Sequence, residues 1–324
     1  MIIPRKIHKC FCIKKPKKMF ESERFQLIGK VRIWKRLSGK VCNIKLLYLK
    51  QFICSQESEE LFSRLASSHS CRGKEMETWE GTDLRKVKSD DLTAVVTQLS
   101  SFSHKSYSDL TATQLDCLFT SIATSNELRL MKLKLTLCYL YACNADNLAR
   151  ALCRLHTVEF SKTYLTFDQA TKLCSAIAEA ADLKLQILKI NCENFSSVPE
   201  DTLARVFMKL QRVHFSDVHL TSNQIIVLLS AIANSSELRL HSLGLEDCHI
   251  SHVPEDTVAK AVCKLRTVDL NGTLLSKEQV TTMLNLIVTA DDLPLSFLSL
   301  ADNVLNLVDS DLIEQTKMKI NINS

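Results

Sequence analysis

A five-letter word returns four times in this chain, at even spacing: LTATQ from Leu110, LTFDQ from Leu165, LTSNQ from Leu220 and LSKEQ from Leu275. Recurrence on this scale constrains the fold strongly. One such unit cannot bury its own apolar face and must stack on its neighbours. In each word a hydroxyl residue precedes a Gln by three positions, at Thr111/Gln114, Thr166/Gln169, Thr221/Gln224 and Ser276/Gln279. That is the spacing of a capping box. The hydroxyl accepts from the N3 backbone N–H, and the Gln reaches back to the N-cap N–H. The preceding Leu stands where a hydrophobic staple would pack on Leu115, Ala170, Ile225 or Val280. Each word therefore predicts a helix start. A degenerate fifth copy is expected at Ile53, with Cys54 as cap and Glu57 at N3.

A second landmark keeps the same period. Val198-Pro-Glu-Asp-Thr recurs from Val253, and Cys143-Asn-Ala-Asp-Asn and Val87-Lys-Ser-Asp-Asp take the corresponding earlier places. Each opens a shorter helix: Leu203, Val206, Phe207 and Leu210 follow i, i+3, i+4, i+7 spacing. Between the helices lie short alternating segments. Leu240 to Ile250 reads L-x-x-L-x-L-x-x-C-x-I around Cys248, Leu130 to Leu140 reads the same around Cys138, and Leu295 to Leu305 places Asn303 there. The segments from Leu155, Leu185, Leu210 and Leu265 are looser, with Thr163, Glu193, Val218 and Thr273 at that position. The L-x-L alternation sends Leu to one strand face and the intervening residues to the other. Asn at the later position can bond buried backbone groups; Cys does so weakly.

These segments resemble the leucine-rich repeat. Two alternating repeat types, a long helix in each module and abundant Cys look most like the ribonuclease-inhibitor-like class, which also forms the sensor arms of intracellular nucleotide-binding receptors. The resemblance covers about 87–308 strongly and 27–86 weakly. It implies an α/β solenoid, a curved horseshoe with parallel strands on the concave face and helices on the convex face. It also implies a non-enzymatic scaffold that binds a protein partner on the concave face. A coil of one strand and one helix is expected to take roughly 27 residues.

Three regions are expected: a basic, disordered arm over 1–24, degenerate N-terminal repeats or a cap over 25–86, and the array of double modules over 87–324. Residues 27–37 read as a basic amphipathic helix, and Asn43 to Ile53 as a first strand with Leu46 and Tyr48 inward. A last helix is expected to start near Asp311. Either it caps the array or the chain is a piece of a longer one.

Composition narrows the classes. Gly (6) and Pro (5) are too scarce for an all-β chain of tight turns. The longest apolar stretch, Ile225 to Ala233, falls far short of the roughly 18 residues of a membrane span. Thirteen Cys without a secretory signal point to a reducing compartment, cytoplasmic or nuclear. The sequons at Asn194, Asn234 and Asn271 then read as chance matches. Residues 1–50 hold 15 Lys/Arg against 2 Asp/Glu, so a basic arm precedes an acidic body. Lys14, Lys15, Lys17 and Lys18 offer a contact for nucleic acid or an anionic surface. An adaptor of a ubiquitin ligase is a further possibility, although residues 1–50 carry no convincing F-box.

Motifs of catalysis are missing. The chain has no G-x-S-x-G, H-E-x-x-H, GxxxxGK[ST] or GxGxxG. Cys10-Phe-Cys12 is not a redox C-x-x-C, and Cys248, His249 and His252 lack the fourth ligand of a structural zinc site. Cys153 and Cys263 stand two modules apart with Met208 between them, which reads as packing. No cofactor, metal site or catalytic residue is expected. The outward letters of the strand pattern carry a trend instead. Early segments supply Lys132, Lys134, Lys162, Lys189 and Arg212, with Glu159 as the exception. His214 and Asp217 mark a crossover, and the last segments supply Glu246, Asp247, Asp269 and Asp302. A groove positive at one end and negative at the other would orient a complementary protein partner.

Overall fold

A computed structural model of the chain describes residues 46–49, 55–68, 71–78, 83–105, 110–191 and 194–323, all within the unit Lys45–Ser324. The basic arm with Lys14 to Lys18, the helix expected over 27–37, the Cys54 cap and Glu193 lie outside the described residues.

Strands and helices alternate. The strands are β1 (Leu46–Leu49), β2 (Glu75–Thr78), β3 (Ser101–Lys105), β4 (Lys132–Thr136), β5 (Thr157–Ser161) and β6 (Ile187–Asn191), then β7 (Arg212–Ser216), β8 (Ser242–Glu246), β9 (Thr267–Leu270), β10 (Phe297–Leu300) and β11 (Asn321–Asn323). They form one parallel sheet in sequence order, β1 to β11. Between them run α1 (Ser55–Ser68), α2 (Ser89–Gln98), α3 (Ala112–Thr124), α4 (Ala145–Cys153), α5 (Phe167–Glu179), α6 (Glu200–Lys209), α7 (Ser222–Asn234), α8 (Glu255–Cys263) and α9 (Lys277–Thr289). The short α10 (Asp302–Leu305) and α11 (Ser310–Lys319) separate β10 from β11. The fold is an α/β leucine-rich-repeat solenoid. No described helix is long and apolar enough to cross a membrane.

From β4 to β10 the strands start at Lys132, Thr157, Ile187, Arg212, Ser242, Thr267 and Phe297, so a shorter coil alternates with a longer one. The expected coil of roughly 27 residues is the average of the two. The pattern's Leu residues build the core: Leu133, Leu135, Leu243, Leu245, Leu298 and Leu300 are all buried. In β5 and β7 the second position is Phe, and Phe215 packs on Phe195 and Phe207 at centroid distances of 5.0 and 5.1 Å. Truncating one such side chain to Ala typically costs about 2–5 kcal/mol. Because strands pack roughly 4.8 Å apart and helices roughly 8–10 Å, the strand side is the inner side of the stack.

All four capping boxes are formed, at Thr111, Thr166, Thr221 and Ser276. Each Gln does more than the box requires. While its Oε1 accepts from the cap N–H, its Nε2 donates to two carbonyls of the preceding coil: Gln114 to Leu84 and Val87, Gln169 to Leu140 and Cys143, Gln224 to Phe195 and Val198, Gln279 to Ile250 and Val253. Glu would satisfy the box but has no such donor, which accounts for Gln at all four sites. A second clamp works at the other helix end. Arg154, Lys209, Lys264 and Lys319, spaced at the same period as the Gln clamps, donate to terminal carbonyls of α3, α5, α7 and α9. A cation there meets both the open carbonyls and the negative end of the helix dipole.

Paired strands stand at both ends of the described sheet. The register pairs Leu46 with Glu75 and Leu47 with Met76, whose side chain is buried. The inward placement expected of Leu46 and Tyr48 lies outside what the structure describes. At the other end, the helix near Asp311 is followed by β11, paired in parallel with β10.

Candidate partner-binding face

The helices cover one side of the sheet. The other side presents the third, fifth and seventh letters of each segment, in continuous rows set by the register. One row runs Lys134, Glu159, Lys189, His214, Gly244, Asp269, Ser299. A neighbouring row runs Lys132, Thr157, Ile187, Arg212, Ser242. Glu246 sits at the seventh letter of β8. The eighth letter lies just past each strand, in the left-handed region: φ is +50° at Lys162, +52° at Asp217, +59° at Asp247 and +68° at Gly272. Left-handed backbone is costly for residues with a Cβ, so three charged side chains stand where Gly would be cheaper. Asp302 departs from this pattern, because it opens α10.

Glu159 is not a lone exception among cations. Its carboxylate lies 3.2 Å from Lys132 and 3.1 Å from Lys134. Burial works to raise its pKa, but the two ammonium groups outweigh burial and hold it below the usual carboxylate value. Lys162, Lys189 and Arg212 are exposed, and no ion pair joins them to a carboxylate among the described residues. The strands β8 and β9 carry the acids. His214 Nε2 lies 3.0 Å from Glu246 Oε1. Burial raises the Glu246 carboxyl above its ordinary value; His214 pulls it back, while Asp269 and Asp247 push it further up.

One feature escaped the sequence reading. Beyond the strand ends, Tyr139 and Tyr164 stack with ring centroids 5.4 Å apart and planes 6° from parallel, and Tyr141 meets Tyr139 edge-on at 6.1 Å. All three are about half exposed or more, at 48%, 54% and 64%. Phe167, also exposed, opens α5 three residues after Tyr164. Rigid aromatic surface of this kind is enriched in the anchors of protein interfaces. Tyr139 and Tyr164 hold the same letter in consecutive coils and are joined by a parallel bridge, so aligning coils by register would have found the pair.

The repeat-ladder position behaves as its chemistry dictates. Thr163 bonds Ser161 O at 3.2 Å, Cys138 only reaches Thr136 O at 3.7 Å, and Cys248 reaches Val218 O at 3.9 Å. Burial pushes the Cys143 and Cys248 thiols up to about 12 and those of Cys153 and Cys263 up to about 11. At neutral pH they are thiols, without the thiolate that nucleophilic chemistry needs.

Searches against protein-family models and against curated proteins give no match. Among solved structures, the chain is similar to one in a crystal structure of a Rad7 and Elc1 complex in yeast. Identity is 16%, the match covers 87% of this chain and 74% of that one, and the TM-score is 0.50. At this identity the likeness is one of fold.

Proposed function

We propose that this chain is a non-enzymatic leucine-rich-repeat scaffold of the ribonuclease-inhibitor-like class, which binds a folded protein across its open strand face. One observation carries the reading. Among the described residues, the helix-free sheet face bears cations without ion-pair partners between β5 and β7 and carboxylates at β8 and β9, with a stacked Tyr cluster beside the cationic stretch. Complementary charge would orient the partner and speed its approach. The Tyr rings would supply the apolar anchor. A partner suited to both is one whose acidic surface meets Lys162, Lys189 and Arg212 and whose apolar pocket takes the aromatic cluster.

The test is capture of partners from cell extract by the immobilised full chain, with three variants in parallel. Tyr139→Ala with Tyr164→Ala removes the anchor. Glu246→Lys with Asp247→Lys and Asp269→Lys reverses the acidic stretch. Lys260→Glu changes the helix side only. The reading expects one stoichiometric protein held by the parent and by the helix-side variant, and lost or slowed by both face variants. Equal capture and equal salt dependence by all four proteins would overturn it. A second reading, an adaptor within a larger assembly, draws on the fold likeness to a chain solved as part of a two-protein complex. Ubiquitin-ligase subunits in the captured set would favour it.

A further inference from the structure

His214 of β7, Glu246 of β8 and Asp269 of β9 converge on one point of the strand face. Each offers one ligand atom, and these atoms lie within 4.8 Å of one another. All three side chains are half-buried. Metal–nitrogen and metal–oxygen bonds of roughly 2.0–2.2 Å place the ligand atoms around a single ion roughly 3–4 Å apart, so the three groups are close to a coordinating arrangement.

Gly244 gives this convergence its shape. It holds the fifth letter of β8, between His214 and Asp269 in the register row. A Cβ at that position would come within 2.2 Å of His214 Nδ1. The bare backbone lets the imidazole lie across β8 with Nε2 toward the carboxylates. Charge is the other asymmetry. Glu246 and Asp269 bring two carboxylates to the same point as the His214 ring. Asp247 adds negative charge nearby. Among the described residues no Lys or Arg forms an ion pair with any of the three acids. Glu159, three strands earlier, has two ammonium groups. In the β7–β9 cluster, among the described residues, only the His214 imidazole stands within ion-pair distance of a carboxylate.

We propose that His214, Glu246 and Asp269 form a three-ligand site for a divalent transition ion of the zinc type, open on the strand face. One imidazole with two carboxylates suits such ions better than Ca2+ or Mg2+, which favour oxygen ligands throughout. Three protein ligands leave a coordination position for water or an incoming donor group. Ion binding here needs no protein partner, so it stands or falls separately from the scaffold reading.

The experiment is titration of the reduced full chain with Co2+, followed by displacement with Zn2+. Co2+ separates this site from the chain's cysteines, since thiolate ligands give intense charge-transfer absorption and a nitrogen–oxygen set gives only weak ligand-field bands. One equivalent of Co2+ with the nitrogen–oxygen spectrum, displaced by Zn2+, is expected. His214→Ala and Asp269→Asn should each weaken binding roughly tenfold or more. Gly244→Ala deletes no ligand but moves the ring, and should weaken binding by a similar factor. Lys260→Ala, on the helix side, should leave the affinity unchanged. Circular dichroism of each variant checks that the repeat fold is intact. The proposal is overturned by the lack of saturable nitrogen–oxygen binding up to millimolar Co2+, or by a purely thiolate spectrum. It is equally overturned by affinity unchanged in folded His214→Ala and Asp269→Asn.

Discussion

The helix layer and the strand face are built from the same coils, yet they treat the repeat in opposite ways. On the helix side the same contact returns in every double module, with four Gln clamps at the N-termini of the long helices and four cationic clamps at their C-termini. On the strand side equivalent letters carry Lys134, Glu159, Lys189, His214, Gly244 and Asp269 in turn. The difference teaches where stacking is decided and where individuality is free to enter. A position that must satisfy its neighbour's buried carbonyls tolerates one chemistry; a position facing water tolerates many.

Breaking the uniform layer should have the largest effect. Gln224→Leu leaves the Phe195 and Val198 carbonyls without their buried donor and opens the capping box, at an expected cost of about 3–5 kcal/mol. Gln224→Glu should cost at least as much, since a carboxylate would face two carbonyl oxygens. Urea unfolding followed by circular dichroism measures both, and the equivalent changes at Gln114, Gln169 and Gln279 should give similar losses. A change at Gln224 that left the midpoint unmoved would remove the clamp from the account.

The face should behave in the reverse manner. Tyr139→Ala with Tyr164→Ala is expected to shift the unfolding midpoint little, as for other exposed sites. It should nevertheless weaken partner binding by about 2 kcal/mol, or roughly 30-fold. Surface plasmon resonance with the captured partner reads this. Next in size come the cationic clamps. Arg154 bonds the carbonyls of Ile122, Ala123 and Ser125, whereas Lys264 bonds only that of Ser235. Arg154→Met should therefore cost about 1–2 kcal/mol and Lys264→Met about half that.

The smallest effect is on the face itself. Glu159→Gln removes two partly exposed ion pairs and should cost less than about 1 kcal/mol at neutral pH. Because the folded-state pKa of Glu159 lies below its ordinary value, its contribution is complete above the usual carboxylate range and fades as pH falls through the lowered pKa. Parent and variant should then converge in acid. A difference that persisted or grew there would show that the ion pairs were not its source.

The fold was legible because its signals are local. A hydroxyl three residues before Gln announces a helix start, and L-x-L announces a strand, without knowledge of what lies beside them. The Gln amide's second role was hidden, since it depends on which carbonyls stack behind Gln114 or Gln224. The face was legible as a row of charges but not as contacts. Glu159 read as a stray acid until the register brought Lys132 and Lys134 to it. His214, Glu246 and Asp269 are far apart in sequence and occupy two different letters, so only the register of β7, β8 and β9 joins them.

The paired clamps also set a rule for editing the molecule. Excising residues 167–221 would join Thr166 to Ser222 and present Gln224 to the carbonyls of Leu140 and Cys143, which Gln169 now holds. A shortened protein with intact joints should result. Cutting out a single coil, of either length, would instead set a long helix where a short one belongs, so the length of this solenoid can be adjusted by whole double modules and by nothing finer.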